Sequence, residues 1–397
     1  KIRILLIEQI HPGAVKKLEE AGFVVAHVDR ALSEQELLEQ ITDVHVLGLQ
    51  GVTRVSEAHF AAAKRLLAVG SFGVNTDQVD TDAARFYGVP VFNAPYGATR
   101  SVAELAIGQV FALARSSAQA FAHLLGGRWQ SVSGIEIRDK VLGIIGYGHV
   151  GQQVGILAEA LGMSVVFYDQ LKRLPLGNAK QCARLDELLR ISDFVTLHVP
   201  SSATNEPLLG SSELASVKPG CLLINVSHSS LIDADALRQA LESGRLGGVA
   251  LDVFAHDTPE AAEGFLSGLE HRDRVVLTPH LGPNTEEAKR SMGLEVASAF
   301  IKYIDTGSTL GAVNFPQIDL RHDGTSHRIL NIHRNVPGVL SDINTIVSEV
   351  GANINSQYVS SLGEVAYLVM DVNREVSEEV KQRIAALPSN IKTRILY

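Results

Sequence analysis

The hexapeptide Gly146-Tyr147-Gly148-His149-Val150-Gly151 constrains this chain more than any other stretch, because of what flanks it. The apolar run VLGII precedes it, and HVGQQVGILAEALG follows with the apolar spacing of a helix. A GxGxxG spacing alone is a weak signal, since glycines are common in turns. Between a strand and a helix it acquires a physical meaning: the glycines permit a tight turn and bring a pyrophosphate close to a helix N-terminus, where exposed amides favour anionic charge. Asp169 closes the next strand, SVVFYD, near the spacing expected of an acid that accepts from ribose hydroxyls. A carboxylate there repels a 2′-phosphate, so the expected cofactor is NAD rather than NADP. Lys172 and Arg173 follow closely and soften that preference, although solvated loop charges are their plainer reading.

Strands recur around this motif at FVTLHV, CLLINV and GVALDV, each followed by polar or helical sequence, which predicts a doubly wound parallel sheet. Ahead of it, the strand KIRILLIE and the helix HPGAVKKLEEAG, with Pro12 near its start and Gly22 past its end, begin a βαβ alternation that continues to about residue 95. RSVAELAIGQVFALARSSAQAFAHLL reads as one long helix, apolar on most sides and therefore buried. The segment PQIDLRHDGTS is polar and contains glycine, as a linker should. Residues 327 to 397 then run βαββαβ, a ferredoxin-like order.

A chain of 397 residues implies two or three domains, and 46% hydrophobic with 20% charged residues is ordinary globular composition. The net charge of −9 without a long basic stretch argues against nucleic acid and for a small-molecule role. No apolar run approaches the ~18 residues of a membrane span. Cys182 and Cys221 form neither a disulfide framework nor a metal-ligand spacing, so no metal is expected and a reducing, cytoplasmic compartment fits. The sequence begins at Lys1 rather than Met, which leaves room for a leader ahead of it.

The run LLINVSHSSLIDADAL raises a question. An apolar strand passes directly into a polar cluster centred on His228, just before a helix capped by Asp233 and ended by Gly244. Loops at the carboxyl ends of parallel strands are where open α/β sheets bind ligands. By spacing alone, however, His228 is an ordinary loop residue.

Further motifs give that loop a context: NAP at 93–95, TRSVAE at 99–104, LHVP at 197–200, ALDVF at 250–254 and LTPH at 277–280. With the βαββαβ tail, they make the chain resemble the D-2-hydroxyacid dehydrogenase family, in its serine-regulated branch acting on 3-phosphoglycerate. The resemblance implies a nucleotide domain at 96–282, inserted in a flavodoxin-like substrate domain at 1–95 and 283–325, with an ACT domain at 326–397. It implies His280 as the acid/base, since imidazole can accept the alcohol proton as hydride leaves. Asp257 falls where the family has a glutamate that orients this histidine. Asp252 matches a residue near the nicotinamide, and His198, Val199 and Pro200 match a loop lying along the cofactor. Asn225 and Ser227 keep the family pattern Asn-x-Ser-Arg-Gly on the cofactor side.

Within that same pattern, His228 occupies the place of the catalytic arginine. Arginine offers a permanently charged planar fork to a carboxylate, whereas histidine offers at most one directed donor and is mostly neutral at pH 7. Gln50, Gly51 and Val52 replace a basic substrate loop, Ala98 replaces a substrate-contacting asparagine, and Asn75 replaces a glycine. In the tail, His333, Asn335 and Asn353 match an L-serine site at a subunit interface, which implies a homo-oligomer, in this branch a tetramer. The expectation is an NAD-dependent 2-hydroxyacid dehydrogenase, weak or altered toward 3-phosphoglycerate. The alternative is a catalytically impaired, NAD- and serine-binding regulatory relative.

Overall fold

The structure is a computed structural model and describes residues 1–200, 206–254, 274–321, 324 and 326–397. The chain forms two compact units, one of Lys1–Gly97 with Lys289–Tyr397 and the other of Ala98–Ala288.

The first unit contains β1 (Arg3–Ile7), β2 (Val24–Val28), β3 (Val46–Leu49), β4 (Ala68–Ser71) and β5 (Val91–Phe92). All pair in parallel, in the flavodoxin-like order β2-β1-β3-β4-β5. The inner strands β3 and β4 are buried along their whole length, as parallel strands covered on both faces must be. One such cover is the helix Glu286–Thr306, whose Phe300 and Val296 come so near β4 that a Cβ at Gly70 would stand 2.3 and 2.5 Å from them. Only glycine permits that approach.

The second unit contains β6 (Val141–Ile145), β7 (Ser164–Tyr168), β8 (Lys180–Gln181), β9 (Phe194–Leu197), β10 (Cys221–Asn225), β11 (Leu246–Leu251) and β12 (Val275–Leu277). They form one parallel sheet in the order β12-β11-β10-β9-β6-β7-β8, so the order reverses between β6 and β9. The expected single long helix is two, Thr99–Arg115 and Ser117–Leu125. Ser116 breaks it in a left-handed conformation (φ 48°). Nor is all of it buried, because Phe121, Leu124 and Leu125 are 63%, 54% and 75% exposed.

The tail adds an antiparallel sheet to the first unit: β13 (His327–Arg334), β14 (Ile354–Leu362), β15 (Val365–Val372) and β16 (Asn390–Leu396), in the order β14-β15-β13-β16. Helices Val339–Val350 and Ser377–Ala385 complete the ferredoxin-like layer. The segment expected to be a free linker is anchored in its described part. Arg328, buried in β13, donates to both carboxylate oxygens of Asp371 at 2.7 and 2.9 Å and to the carbonyls of Thr306, Leu320 and Arg321 at 3.0, 3.0 and 2.6 Å. A buried guanidinium needs an acceptor for each of its five N–H groups, and the segment before β13 supplies two of them. Among the described residues, no helix is long and apolar enough to cross a membrane, and no group of His, Cys, Asp or Glu could hold a metal ion.

Candidate active site and nucleotide cradle

At the β6/β9 reversal the chain leaves β6 through Gly146, whose φ of 90° is open to glycine alone at little cost. A Cβ there would lie 2.4 Å from the His198 carbonyl, and one at Gly151 would lie 2.1 Å from the Gly146 carbonyl. Gly148 precedes the helix His149–Ala160 and supplies no side-chain cap, so the start of that helix suits an anion. Asp169 reaches back from the end of β7: its Oδ2 accepts the Tyr147 amide at 2.9 Å, and its Oδ1 accepts the Leu171 amide at 2.9 Å. Arg173 is not a solvated loop charge, because its Nε lies 3.2 Å from Asp169 Oδ2. Lys172 is exposed.

Across the reversal, His198 donates its amide to the Ile145 carbonyl at 2.7 Å, and its Nε2 lies 2.9 Å from Thr196 Oγ1. Burial pushes its pKa down to about 3, so the ring stays neutral. The Val199 side chain borders Gly146, and Pro200 is exposed. Glycines with no room for a Cβ, an uncapped helix start and a carboxylate at the end of the second strand fit a dinucleotide. Gly146, Gly148 and Gly151 with His149 and Val150 would hold its pyrophosphate, and Asp169 its ribose.

The polar cluster after β10 is held by its own hydrogen bonds. Buried Asn225 accepts the Ser227 amide at 3.0 Å and donates to the His228 carbonyl at 2.8 Å, while Ser227 Oγ donates to the Leu197 carbonyl at 2.6 Å. Thus Asn225 and Ser227 fix the loop shape. His228 is half-buried, with extended backbone (φ −139°, ψ 140°), just ahead of a short 3-10 turn.

Asp252, buried after β11, organises the loop that carries His280. Its Oδ1 accepts the Thr278 hydroxyl at 2.6 Å and the Leu281 amide at 2.8 Å, and its Oδ2 accepts the Gly282 amide at 2.8 Å. Its carbonyl accepts the His280 amide at 2.9 Å. Between these anchors His280 is exposed and adopts φ 52°, a left-handed conformation uncommon for any residue but glycine. Buried Gln109, 3.4 Å from Thr278 Oγ1, and Ser101, which donates to the Gly282 carbonyl at 2.6 Å, support the same loop. Sequence reasoning singled out none of Thr278, Gln109 and Ser101.

Of the remaining expected site residues, Asp257 lies outside the described residues. Buried Ala98 begins the second unit. Gln50 and Gly51 follow β3 in the first unit, where their amides donate to Glu8 at 2.9 and 2.6 Å. Among the serine-site candidates, His333 is buried with its Nδ1 2.8 Å from Asn331 Oδ1, and burial lowers its pKa. Exposed Asn335 donates to the Gly363 carbonyl at 3.2 Å, and Asn353 donates to Asn355 at 3.0 Å. The strand register does not bring these three together, because His333 stands opposite Ala366 while Asn353 precedes Ile354, which stands opposite Val372 at the other end of β15.

A glycine cradle with a carboxylate at the end of the next strand, and a histidine held in the loop after the edge strand of the same sheet, fit the class of NAD-dependent 2-hydroxyacid dehydrogenases. Residues 107–282 match the family described as D-isomer specific 2-hydroxyacid dehydrogenase, NAD binding domain, and residues 329–392 match an AHAS small subunit-like ACT domain. Over its whole length the chain is 45% identical to D-3-phosphoglycerate dehydrogenase of Dictyostelium discoideum and 45% identical to that of Escherichia coli K12, covering 98% of each. Among solved structures, a glyoxylate reductase from Paecilomyes thermophila aligns with a TM-score of 0.69 at 27% identity, over 79% of this chain and 98% of that one. The chain belongs to the D-3-phosphoglycerate dehydrogenase family. It is an NAD-dependent oxidoreductase of the 2-hydroxyacid type with a C-terminal ACT domain.

Proposed function

We propose that this chain oxidises a 2-hydroxyacid at C2, with activity toward 3-phosphoglycerate that is weak or altered. His280 accepts the C2 hydroxyl proton as the C2 hydrogen departs as hydride, and returns it in the reverse direction. NAD, when bound, supplies the hydride acceptor. The observation that carries this reading is the left-handed His280, fixed by Asp252. Such strain costs of order 1–3 kcal/mol and persists where the surroundings over-determine it, typically at active sites. Asp257 takes the orienting role toward His280. His198, Val199, Pro200, Asn225, Ser227 and Asp252 border the cofactor, and His228, Gln50, Gly51 and Ala98 face the substrate. Without an arginine fork at 228, a carboxylate is held by fewer directed charges.

Regulation follows the ACT domain, with L-serine as effector at His333, Asn335 and Asn353. The register supports a site shared by two copies, since the six-residue step along β15 from Ala366 to Val372 amounts to about 20 Å. The protein is accordingly a homo-oligomer, a tetramer in this reading. Free, buried Cys182 and Cys221 suit the cytoplasm.

The test is NADH formation across phosphorylated and unphosphorylated 2-hydroxyacids, with the reverse reaction on 2-ketoacids and calorimetry with L- and D-serine. Turnover of at least one acid and heat from L-serine alone are expected. NADH binding without any turnover would leave a regulatory relative instead.

A further inference from the structure

In the five-stranded sheet the order reverses between β1 and β3, and open α/β sheets bind ligands beyond the carboxyl ends of the strands at such a reversal. Glu8 is the first residue after β1, and Gln50 is the first after β3. The crevice therefore carries a carboxylate, and that carboxylate is turned onto the facing loop. Its Oε2 accepts the amides of Gln50 at 2.9 Å and Gly51 at 2.6 Å; its Oε1 accepts those of Val52 at 3.2 Å and Thr53 at 2.5 Å.

Glu8 is 5% exposed and holds φ 70°. Its backbone is fixed from both sides, because its amide donates to the Val28 carbonyl at 2.9 Å and its carbonyl lies 2.9 Å from His27 Nε2. A left-handed glutamate kept in this way marks a position where the carboxylate is needed.

Successive backbone amides pointing into one concavity form an anion nest. Here the chain's own carboxylate fills it. The amides of the loop are thus unavailable to a substrate, and recognition passes to the side chains at 50, 51 and 52. All are neutral: Gln50 is half-buried, while Gly51 and Val52 are exposed. A phosphate at this loop would meet a buried anion beneath it and no cation among these residues. Arg54, the next cation along, lies one position past the last amide of the nest.

We infer that Glu8 is a positioning residue that sets specificity, presenting Gln50, Gly51 and Val52 as a neutral surface for 2-hydroxyacids whose end remote from C2 is uncharged. This rests on the 2-hydroxyacid reading above and narrows its substrate class.

The experiment measures kcat and KM for D-glycerate and 3-phosphoglycerate in the native chain, in Glu8→Gln and in the double variant Gln50→Arg/Val52→Arg, with NADH binding followed in parallel. Native kcat/KM should favour glycerate. The arginine pair, which leaves the nest intact, should reverse the preference by lowering KM for 3-phosphoglycerate about 10-fold or more. Glu8→Gln places a donor against amides and should raise KM for glycerate about 10-fold, with kcat within about two-fold and NADH binding unchanged. A native preference for 3-phosphoglycerate, or a Glu8→Gln variant that loses kcat with KM unchanged, overturns the inference. The arginine pair decides it even if Glu8→Gln does not fold: an unchanged preference overturns it too. Native turnover of neither these nor any other 2-hydroxyacid overturns the underlying reading, whereas turnover that favours 3-phosphoglycerate overturns this inference alone.

Discussion

The Asp252 carbonyl accepts the His280 amide at 2.9 Å, while the carboxylate of the same residue accepts the next two amides, Leu281 and Gly282, at 2.8 Å each. One buried acid therefore shapes the backbone around the candidate base and secures Thr278 ahead of it. Asp252→Asn exchanges one acceptor oxygen for a donor that must face an amide or the Thr278 hydroxyl. Losing a hydrogen bond to a charged group costs about 1.5–3 kcal/mol, or roughly 10- to 150-fold in rate. We expect kcat to fall within that range. A kcat within about two-fold of native would show that His280 needs no such anchor.

Asp169 is engaged on three sides, by the amides of Tyr147 and Leu171 and by Arg173 at 3.2 Å. In the proposed ribose-binding role the carboxylate would select free ribose hydroxyls, and removing it would release an arginine able to meet a 2′-phosphate. NADH should bind ahead of NADPH in the native chain, and Asp169→Ala should narrow the gap from both sides. Asp169→Ala/Arg173→Ala should lose the NADPH gain. Fluorescence titration of each dinucleotide reads both effects; a preference untouched by Asp169→Ala would remove the ribose role.

His198 gives the fold an acid limit. Burial lowers its pKa from 6.5 to about 3, so between those values the unfolded chain binds the proton and the folded chain does not. Stability contributed by the neutral ring is complete above pH 6.5 and drains away as pH falls toward 3. His198→Gln keeps a partner for Thr196 and removes the titration. Urea midpoints at pH 7.5 and pH 5 should therefore draw together in the variant relative to native. An identical loss in both proteins would assign the acid sensitivity elsewhere.

The sheets were legible because their strands are short apolar runs closed by glycine or polar residues, and the cradle because its glycines and Asp169 are spaced along one βαβ unit. What sequence concealed was set by distant partners. Nothing in Arg115-Ser116-Ser117 signals a left-handed break, and Ser116 Oγ accepts from Arg274 Nε at 3.2 Å, more than 150 residues along. Arg173 gave no sign of pairing with Asp169, since the i,i+4 spacing has meaning on a helix and these residues lie in a loop. Arg328 sits in an apolar strand and ties down what composition marked as a linker, by acceptors that only the folded chain supplies. Glu8 looked like the polar end of a strand; its φ of 70° is visible only in three dimensions. Motif resemblance located His280, but only the hydrogen bonds of Asp252 show how its loop is held.

The remaining prediction concerns His228, where the loop itself decides what a substitution can do. Bonds through the His228 carbonyl, Asn225 and Ser227 shape the loop, and the backbone at 228 is extended and open to any residue. His228→Arg should therefore restore the charged fork without rebuilding the loop. Breaking a desolvated charge pair typically costs about 2–5 kcal/mol, which is roughly 30- to 4,000-fold in transition-state stabilisation. Native kcat/KM on 3-phosphoglycerate should be low, and His228→Arg should recover part of that range. Full recovery should need arginines at 50 and 52 as well, since those positions are neutral. If His228 acts instead as a protonated substitute, carboxylate binding should strengthen as pH falls. The comparison of native, His228→Arg and triple variant on 3-phosphoglycerate separates these cases. Ordinary native rates, with His228→Arg neutral or harmful, would make the histidine a competent part of the site and sink the argument for a weakened clamp.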